Sequence, residues 1–463
     1  MSGLLALLQQ GASSLQAQSA YSSTVAHNLS NSNTVGYSRQ RAELAAVTPA
    51  ERYGSSFIGR GAMLQAVSQA RDRFLEAQMP GAISREMSSG TEAETLKSVS
   101  AIDLDNSVAP ALSNFYSSLR SLAQNPGSAN YREAAVGAAT QLALSFNRSS
   151  MAIEASRTGI DSKIEGRLPE LNETLAQVAR LNVQIREARN GGAEPNDLLD
   201  TRLRLGDRLA ELTGAQPVPN KEGDLNLTLP DGTSLVAGER AASLSVLPDA
   251  ANGGHFQLYL QKPDGSLRQP LASAPGGELG GLLAARDGAL KTASSQVDQL
   301  AFDLSGAINA VAQTGVGLDG SGGRDLFTGV TTVGGAARAM TVNAAIVGNT
   351  SWFPAGTTSA PGDARALQGM IDTESTSLSG GTNAAGALSR ITADFGATVQ
   401  RASTMHEGDA AMLSHLGSMR QSASGVSVDE ELVNMQKAQR AYEAVTRVIK
   451  TADTMLETLL SLK

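Results

Sequence analysis

Apolar residues at the start of the chain recur in alternating steps of three and four: Leu5, Leu8, Ala12, Leu15, Ser19, Ser22, Ala26 and Leu29. That spacing predicts a helix over residues 4–30 with the narrow seam of a coiled coil, thinned by small residues. Gln, Ser, Ala and Thr fill its other faces, with no ion pairs to hold it folded alone. The helix therefore waits for a partner. A matching seam closes the chain: Met435, Ala438, Tyr442, Val445, Ile449, Ala452, Leu456 and Leu459 keep the same steps. "SVDE" (Ser427 to Glu430) opens that helix as a capping box, with Ser427 as N-cap and Glu430 three residues on.

Between the ends, helical periodicity runs from Ala66 to Gln124, with a break expected near Pro80. It resumes over Tyr131 to Ala188 and Asp197 to Thr213, where Leu171, Leu175, Val178, Leu181 and Ile185 form a core stripe. Residues 216–275 change period. "LNLTLPDGTSLVA" and "FQLYLQKPDGSL" alternate apolar and polar positions up to Asp231-Gly232 and Asp264-Gly265, which are hairpin signals. Helix returns from Gly276 to Ala312, lapses into a Gly/Thr-rich stretch that reads as loop or short strands, and resumes near Ala364. From Ile391 it continues towards the end, interrupted near Gly425.

The predicted architecture is mainly α: paired coiled-coil-like terminal helices, a helical-bundle middle domain and a small inserted β domain. Residues 1–65 with 420–463 make the terminal helices and an amino-terminal arm. Residues 66–215, 276–315 and 364–419 make the middle domain, 216–275 the β insertion, and 316–363 the Gly/Thr-rich segment.

Charge sharpens the picture at one place. Residues 1–38 contain no Asp, Glu, Lys or Arg, and Arg39 is the first formal charge. An uncharged helix can lie against copies of itself without repulsion or a buried unpaired ion. Behind it stands "HNLSNSNTVGYSRQ" (His27 to Gln40), in which Asn28, Asn31 and Asn33 compete with helical hydrogen bonds and Gly36 permits positive φ; Tyr37 then begins a short strand or extended arm to Leu44. "GSSFIGRGAML" (Gly54 to Leu64) reads as a glycine-punctuated loop or hairpin.

Elsewhere composition mostly excludes. A net charge of −8 without a basic cluster argues against a nucleic-acid partner. Zero cysteines excludes disulfides and thiolate metal sites. "MSGLLALLQQ" has no basic n-region and too short an apolar run for a Sec signal, and no window suits a membrane anchor. "GVGLDG" (Gly315 to Gly320) matches a dinucleotide string, but a helix precedes it where a strand is required. His27, His255, His406 and His415 lack metal spacing, and no nucleophile elbow or phosphate loop occurs. No enzyme, cofactor or metal is expected.

The ends together resemble a family. "HNLSNSNTVGYSRQ" is similar to the amino-terminal motif of flagellar rod, hook and hook-associated proteins, roughly Asn-Asn-x-Ala-Asn-x-Asn-Thr-Pro-Gly-Tyr. Asn28, Asn31, Asn33, Thr34, Gly36 and Tyr37 match; His27 replaces the first Asn and Val35 the Pro. "YSRQ", "PNDLLDTRLRLGDRLAELTG" (Pro195 to Gly214), "GGELGGLLAARD" (Gly276 to Asp287), "RDLFTG" (Arg324 to Gly329) and the carboxy-terminal helix resemble the hook-associated branch.

The resemblance implies an extracellular structural subunit of the bacterial flagellum, exported by the flagellar type III route, at the junction of hook and filament. It implies as partners further copies of the chain, the hook protein, a second junction protein and the flagellin side of the filament, and an export chaperone at the carboxy-terminal helix around Tyr442. Leu5, Leu8, Leu15, Leu29, Met435, Tyr442, Val445, Ile449, Leu456 and Leu459 are the expected assembly seam, and Asn28, Asn31, Asn33, Gly36 and Tyr37 the helix-ending turn. The rival readings are another axial subunit (rod, hook or filament-type) and an adhesin or enzyme on a flagellar scaffold.

Overall fold

A computed structural model describes residues 2–34, 36–47, 52–53, 56–57, 61–99, 104–218, 220, 223–266 and 268–461. The chain opens with helix α1 (Ser2–Ser30), followed by an arm in which β1 (Gln40–Ala46) pairs antiparallel with β4 (Ala62–Gln69). Between them β2 (Arg52–Tyr53) and β3 (Ser56–Phe57) pair as a short hairpin; the rest of the predicted Gly54–Leu64 loop lies largely outside the described residues.

The helix expected from Ala66 begins later. Residues 66–69 belong to β4, and α2 (Arg73–Ser98) starts where Asp72 accepts hydrogen bonds from the amides of Phe74 and Leu75. Pro80 does not break it. Leu75, Met79, Ala82 and Ile83 bury against Ala210 and Leu416, and this packing on both sides of Pro80 offsets the one backbone hydrogen bond proline forfeits. The interruption comes instead before α3 (Leu104–Gln124), whose neighbour α4 (Ala129–Asn190) is the longest element. Leu171, Leu175 and Val178 are fully buried on α4, as their spacing predicts.

After α5 (Asn196–Thr213) the chain makes two small antiparallel sheets. The first runs β5 (Gln216–Val218), β6 (Asn226–Thr228), β7 (Ser234–Ala237), β8 (Arg240–Ala241). The second is built from β9 (Ser243–Pro248), β10 (Phe256–Gln261) and β11 (Gln269–Pro270), with β10 central. Both Asp-Gly signals are turns: Gly232 has φ +85° and Gly265 +78°, and Asp231 and Asp264 each accept the amide two residues on at 2.9 Å. The buried strand residues Leu227, Leu235, Val236, Leu244, Leu258 and Leu260 share one core with α3 and α4. The β9–β10 tip is bolted to α4 through His255 and the Phe256 amide, which donates to Asp161 at 3.2 Å. Buried His255 places Nδ1 2.6 Å from Asp161 and Nε2 2.9 Å from Glu154, and Arg286 bridges Asp161 and Asp287.

Helix returns as α6 (Gly277–Leu283), runs through a π-helical turn (Ala284–Leu290) and continues as α7 (Lys291–Ala312). The Gly/Thr-rich segment holds the pair β12 (Phe327–Thr328) and β13 (Thr341–Val342) together with two short helices, α8 (Ala336–Ala339) and α9 (Ala344–Gly348). Then come α10 (Arg365–Asp372), α11 (Ala384–Ser424) and α12 (Val428–Ser461). α11 lies along α2, and α12 returns along α1. The two ends of the chain therefore form one helical pair. The pair is tight at Gly11, where an added Cβ would come within 2.5 Å of Ile449 Cγ1.

Candidate functional site

The segment that follows α1 is tied on three sides. Asn28, in the last turn, is 1 % exposed. Its Nδ2 donates to the Gln40 carbonyl at 2.8 Å, while its Oδ1 accepts from the Gln40 amide at 2.9 Å and the Tyr37 hydroxyl at 2.8 Å. One side-chain amide thus does for Gln40 what a paired strand residue would do, and both polar atoms of the buried Asn28 side chain find partners. Asn31 donates to the His27 carbonyl at 3.0 Å and accepts from Thr34 Oγ1 at 3.2 Å. Gly36 sits at φ +78°, where any side chain would be strained. Asn33 is exposed.

Between them the residues of "YSRQ" reach α1, α5 and α12. Ser38 donates its amide to Asp200 Oδ2 at 3.0 Å, and Gln40 Nε2 donates to Asp197 Oδ1 at 3.0 Å, so α5 holds the arm from below. Asn196 adds a 2.8 Å bond to the Val67 carbonyl. His27 Nε2 lies 3.2 Å from Asp197. Arg39 points the other way: Nε meets Glu431 Oε1 at 2.8 Å, Nη1 meets Glu430 Oε2 at 2.9 Å, and its backbone amide donates to the Ser424 carbonyl at 2.9 Å. Glu431 is 1 % exposed, so this is a buried ion pair joining the arm to the first turn of α12.

Two expectations change here. Ser427 does cap α12, accepting from the Glu430 amide at 3.4 Å, but the Glu430 carboxylate turns to Arg39 rather than closing the capping box. Asp197, Asp200 and Glu431, absent from the expected site, are central to the joint. The signal for the aspartates was their three-residue spacing, which sets both on one helix face; for Glu431 it was the isolation of Arg39, which needs a counter-ion once buried.

The electrostatics follow from burial among acids. The Tyr37 hydroxyl is pushed well above its ordinary range by burial, then by Asp197, Asp200 and Glu431, so it remains a donor to Asn28. Asp200 is pushed above its ordinary value by burial, and its Oδ1 has no hydrogen-bond partner among the described residues. A carboxyl with a raised folded pKa binds protons more tightly folded than unfolded, so its contribution weakens as pH rises through the folded value. Asp200→Asn should therefore stabilise the protein at pH 7, with the gain shrinking as pH falls into the ordinary carboxylate range. Denaturation midpoints against pH would read this, and a gain that grows towards acid would contradict it.

The seam residues divide. On α1, Leu8, Leu15 and Leu29 are half-buried, and the side chain of Leu5 lies outside the described residues. The face turned most fully inward holds Gly11, Val25 and Asn28, one position ahead of Ala12, Ala26 and Leu29 in the heptad. Glycine at the contact with Ile449 and the demands of Asn28 set that rotation. On α12, Ala438 and Ala452 are buried, Met435, Val445, Ile449 and Leu456 half-buried, and Tyr442 and Leu459 exposed at 46 % and 49 %. Roughly 80° round the helix from this inner row runs a second one, at 100° per residue. It holds Val448, Met455 and Leu459, about half exposed. Glu443, Arg447, Lys450 and Glu457 occupy the remaining arc. α12 has two apolar faces and α1 covers one.

The profile described as the flagellar hook-associated protein FlgK helical domain matches residues 94–327, just over half of the chain. The chain belongs to the FlgK family. A second profile, for the carboxy-terminal part of flagellar basal body rod FlgEFG proteins, matches residues 419–462. Flagellar hook-associated protein 1 of Salmonella typhimurium is 30 % identical over 327 residues, covering 70 % of this chain and 59 % of that protein. The Escherichia coli FlgK relative of the same name is 24 % identical over 548 aligned positions, covering 99 % of this chain and all of the relative. The solved structure of the flagellar hook junction protein FlgK from Burkholderia pseudomallei is 27 % identical, with a TM-score of 0.50 over 54 % of this chain and 46 % of that one. Among the described residues no helix is long and apolar enough to cross a membrane.

Proposed function

We propose that this chain is a structural subunit of the flagellum that self-assembles between hook and filament and connects the two. The observation that carries the reading is the two-faced α12. A helix with one apolar row packed on α1 and another left half exposed is built for a second helix. The neighbouring copy supplies it, and the charge-free α1 lets such pairs crowd into a tube without burying ions. The hook protein sits on one side of this layer and a second junction protein with flagellin on the other. Before assembly the chain travels the flagellar export route, a chaperone covering α12 around the exposed Tyr442. The names carried by the relatives support the location.

Two substitutions separate the faces. Ile449→Glu puts a charge against Gly11 and should release α12 from α1, abolishing assembly while sparing the middle helices. Met455→Glu should leave the α1–α12 pair intact and still abolish assembly. In cells, loss of the gene should give hooks without filaments and flagellin shed into the medium, by electron microscopy and supernatant analysis. Missing hooks would assign the chain to rod or hook, and normal assembly of Met455→Glu would remove the outer row from the mechanism.

A further inference from the structure

We propose that the cavity enclosed by β4, the start of α2, α5 and β5 is an oxyanion site, in which Arg202 and Arg189 hold a carboxylate or phosphate group. The cavity measures about 670 Å³; Arg71, Arg73, Arg189 and Arg202 line it together with Glu76, Glu194 and Asp224, and Leu199 and Leu225 form its apolar wall. Such a gathering of arginines stands out in a chain of net charge −8.

The carboxylates nearby do not neutralise it. Glu76 is taken by Arg71, Asp224 lies 3.3 Å from Arg186, and Glu194 is a loose 3.9 Å from Arg189. The hydrogen-bond partners of Arg202 are neutral: Nη1 donates to Asn182 Oδ1 at 2.9 Å and to the Gly223 carbonyl at 3.1 Å. Its Nε and Nη2 make no hydrogen bond, and it and Arg73 form no ion pair, among the described residues. Burial and then Arg189 push the Arg202 guanidinium down to about 10, Arg71 adding to the effect and Asp224 only partly opposing it. Gly223, at φ +80°, keeps the space beside Arg189 open, since a Cβ there would lie 2.7 Å from Nη1. Arg202 and Arg189, crowded together beside an open cavity, are costly on their own and become favourable once an anion enters, because charge-assisted bonds to a guanidinium fork are the strong kind.

The chemistry fits a free oxyanion or an acidic side chain of a neighbouring copy, whose stem would lie on the leucine wall. The site itself does not depend on assembly at the hook.

The test uses the full chain, with phosphate as the probe against chloride at matched ionic strength. Phosphate should raise the melting temperature by on the order of 2 °C at concentrations about tenfold above its Kd. Its half-effect concentration should rise at least tenfold in Arg202→Gln. Arg189→Gln leaves the Arg202 hydrogen bonds in place and serves if Arg202→Gln does not fold; it should weaken phosphate at least threefold. An absent response in the natural sequence, or an equal response in both variants, overturns the proposal. Phosphate that also slows self-association identifies the occupant as a neighbour's carboxylate, and binding without that effect identifies a free anion.

Discussion

Arg39→Met is expected to detach α12 from the rest of the protein. The substitution leaves Glu431, 1 % exposed, as a buried carboxylate with no cation beside it. Removing one partner of a buried pair costs about 3–5 kcal/mol, most of it the stranded charge rather than the lost attraction. The terminal pair adds few buried large side chains to offset such a loss: fully buried positions on α12 are Glu431, Ala438 and Ala452. Hydrogen exchange should accelerate along α12 and α1 while α3 and α4 stay protected. The double substitution Arg39→Met with Glu431→Met should recover most of the loss, since it strands nothing. Equal exchange in Arg39→Met and the natural sequence would show that the ion pair does not hold the joint.

Asn28→Leu should be nearly as damaging by a different route. The leucine is close in volume, so the packing term is small. The Gln40 amide and carbonyl and the Tyr37 hydroxyl lose their partner together. At about 1–3 kcal/mol for each buried group left unsatisfied, the change outweighs any gain in apolar burial. Asn28→Asp keeps both accepted bonds, loses the donor and faces a carboxylate to a carbonyl, so it should fall between. Denaturation followed by exchange of β1 and β4 amides would order the three proteins. If Asn28→Leu matched the natural sequence, the asparagine would be a helix-ending residue alone, without a tertiary role.

The periodic parts of the chain were legible because a period needs only one partner surface. The α4 stripe, the Asp-Gly turns and both terminal helices stand where their residues predict. Pro80 misled because local propensity carries no account of the burial of Met79 and Ile83 around it. The rotation of the α1 seam was hidden for a related reason. Leucines attract attention in a sequence, yet a glycine at position 11 decides which side Ile449 can approach. The joint was half legible. Its amino-terminal residues form a contiguous motif, whereas Asp200 and Glu431 are ordinary helix acids until the fold brings Ser38 and Arg39 to them.

The Arg39–Glu431 contact spans 392 positions of sequence. A chain that is synthesised or threaded from one end cannot close this contact until almost all of it has emerged. Long-range closures of this kind form late, because the entropy of the intervening loop is lost before the contact repays it. The same pair therefore works as a test of completeness: a fragment that ends before Glu431 can fold its middle helices and still tie Ser38 to Asp200, yet it lacks both the counter-ion of Arg39 and the helix that covers α1, and would be left out of any structure that accepts only paired ends.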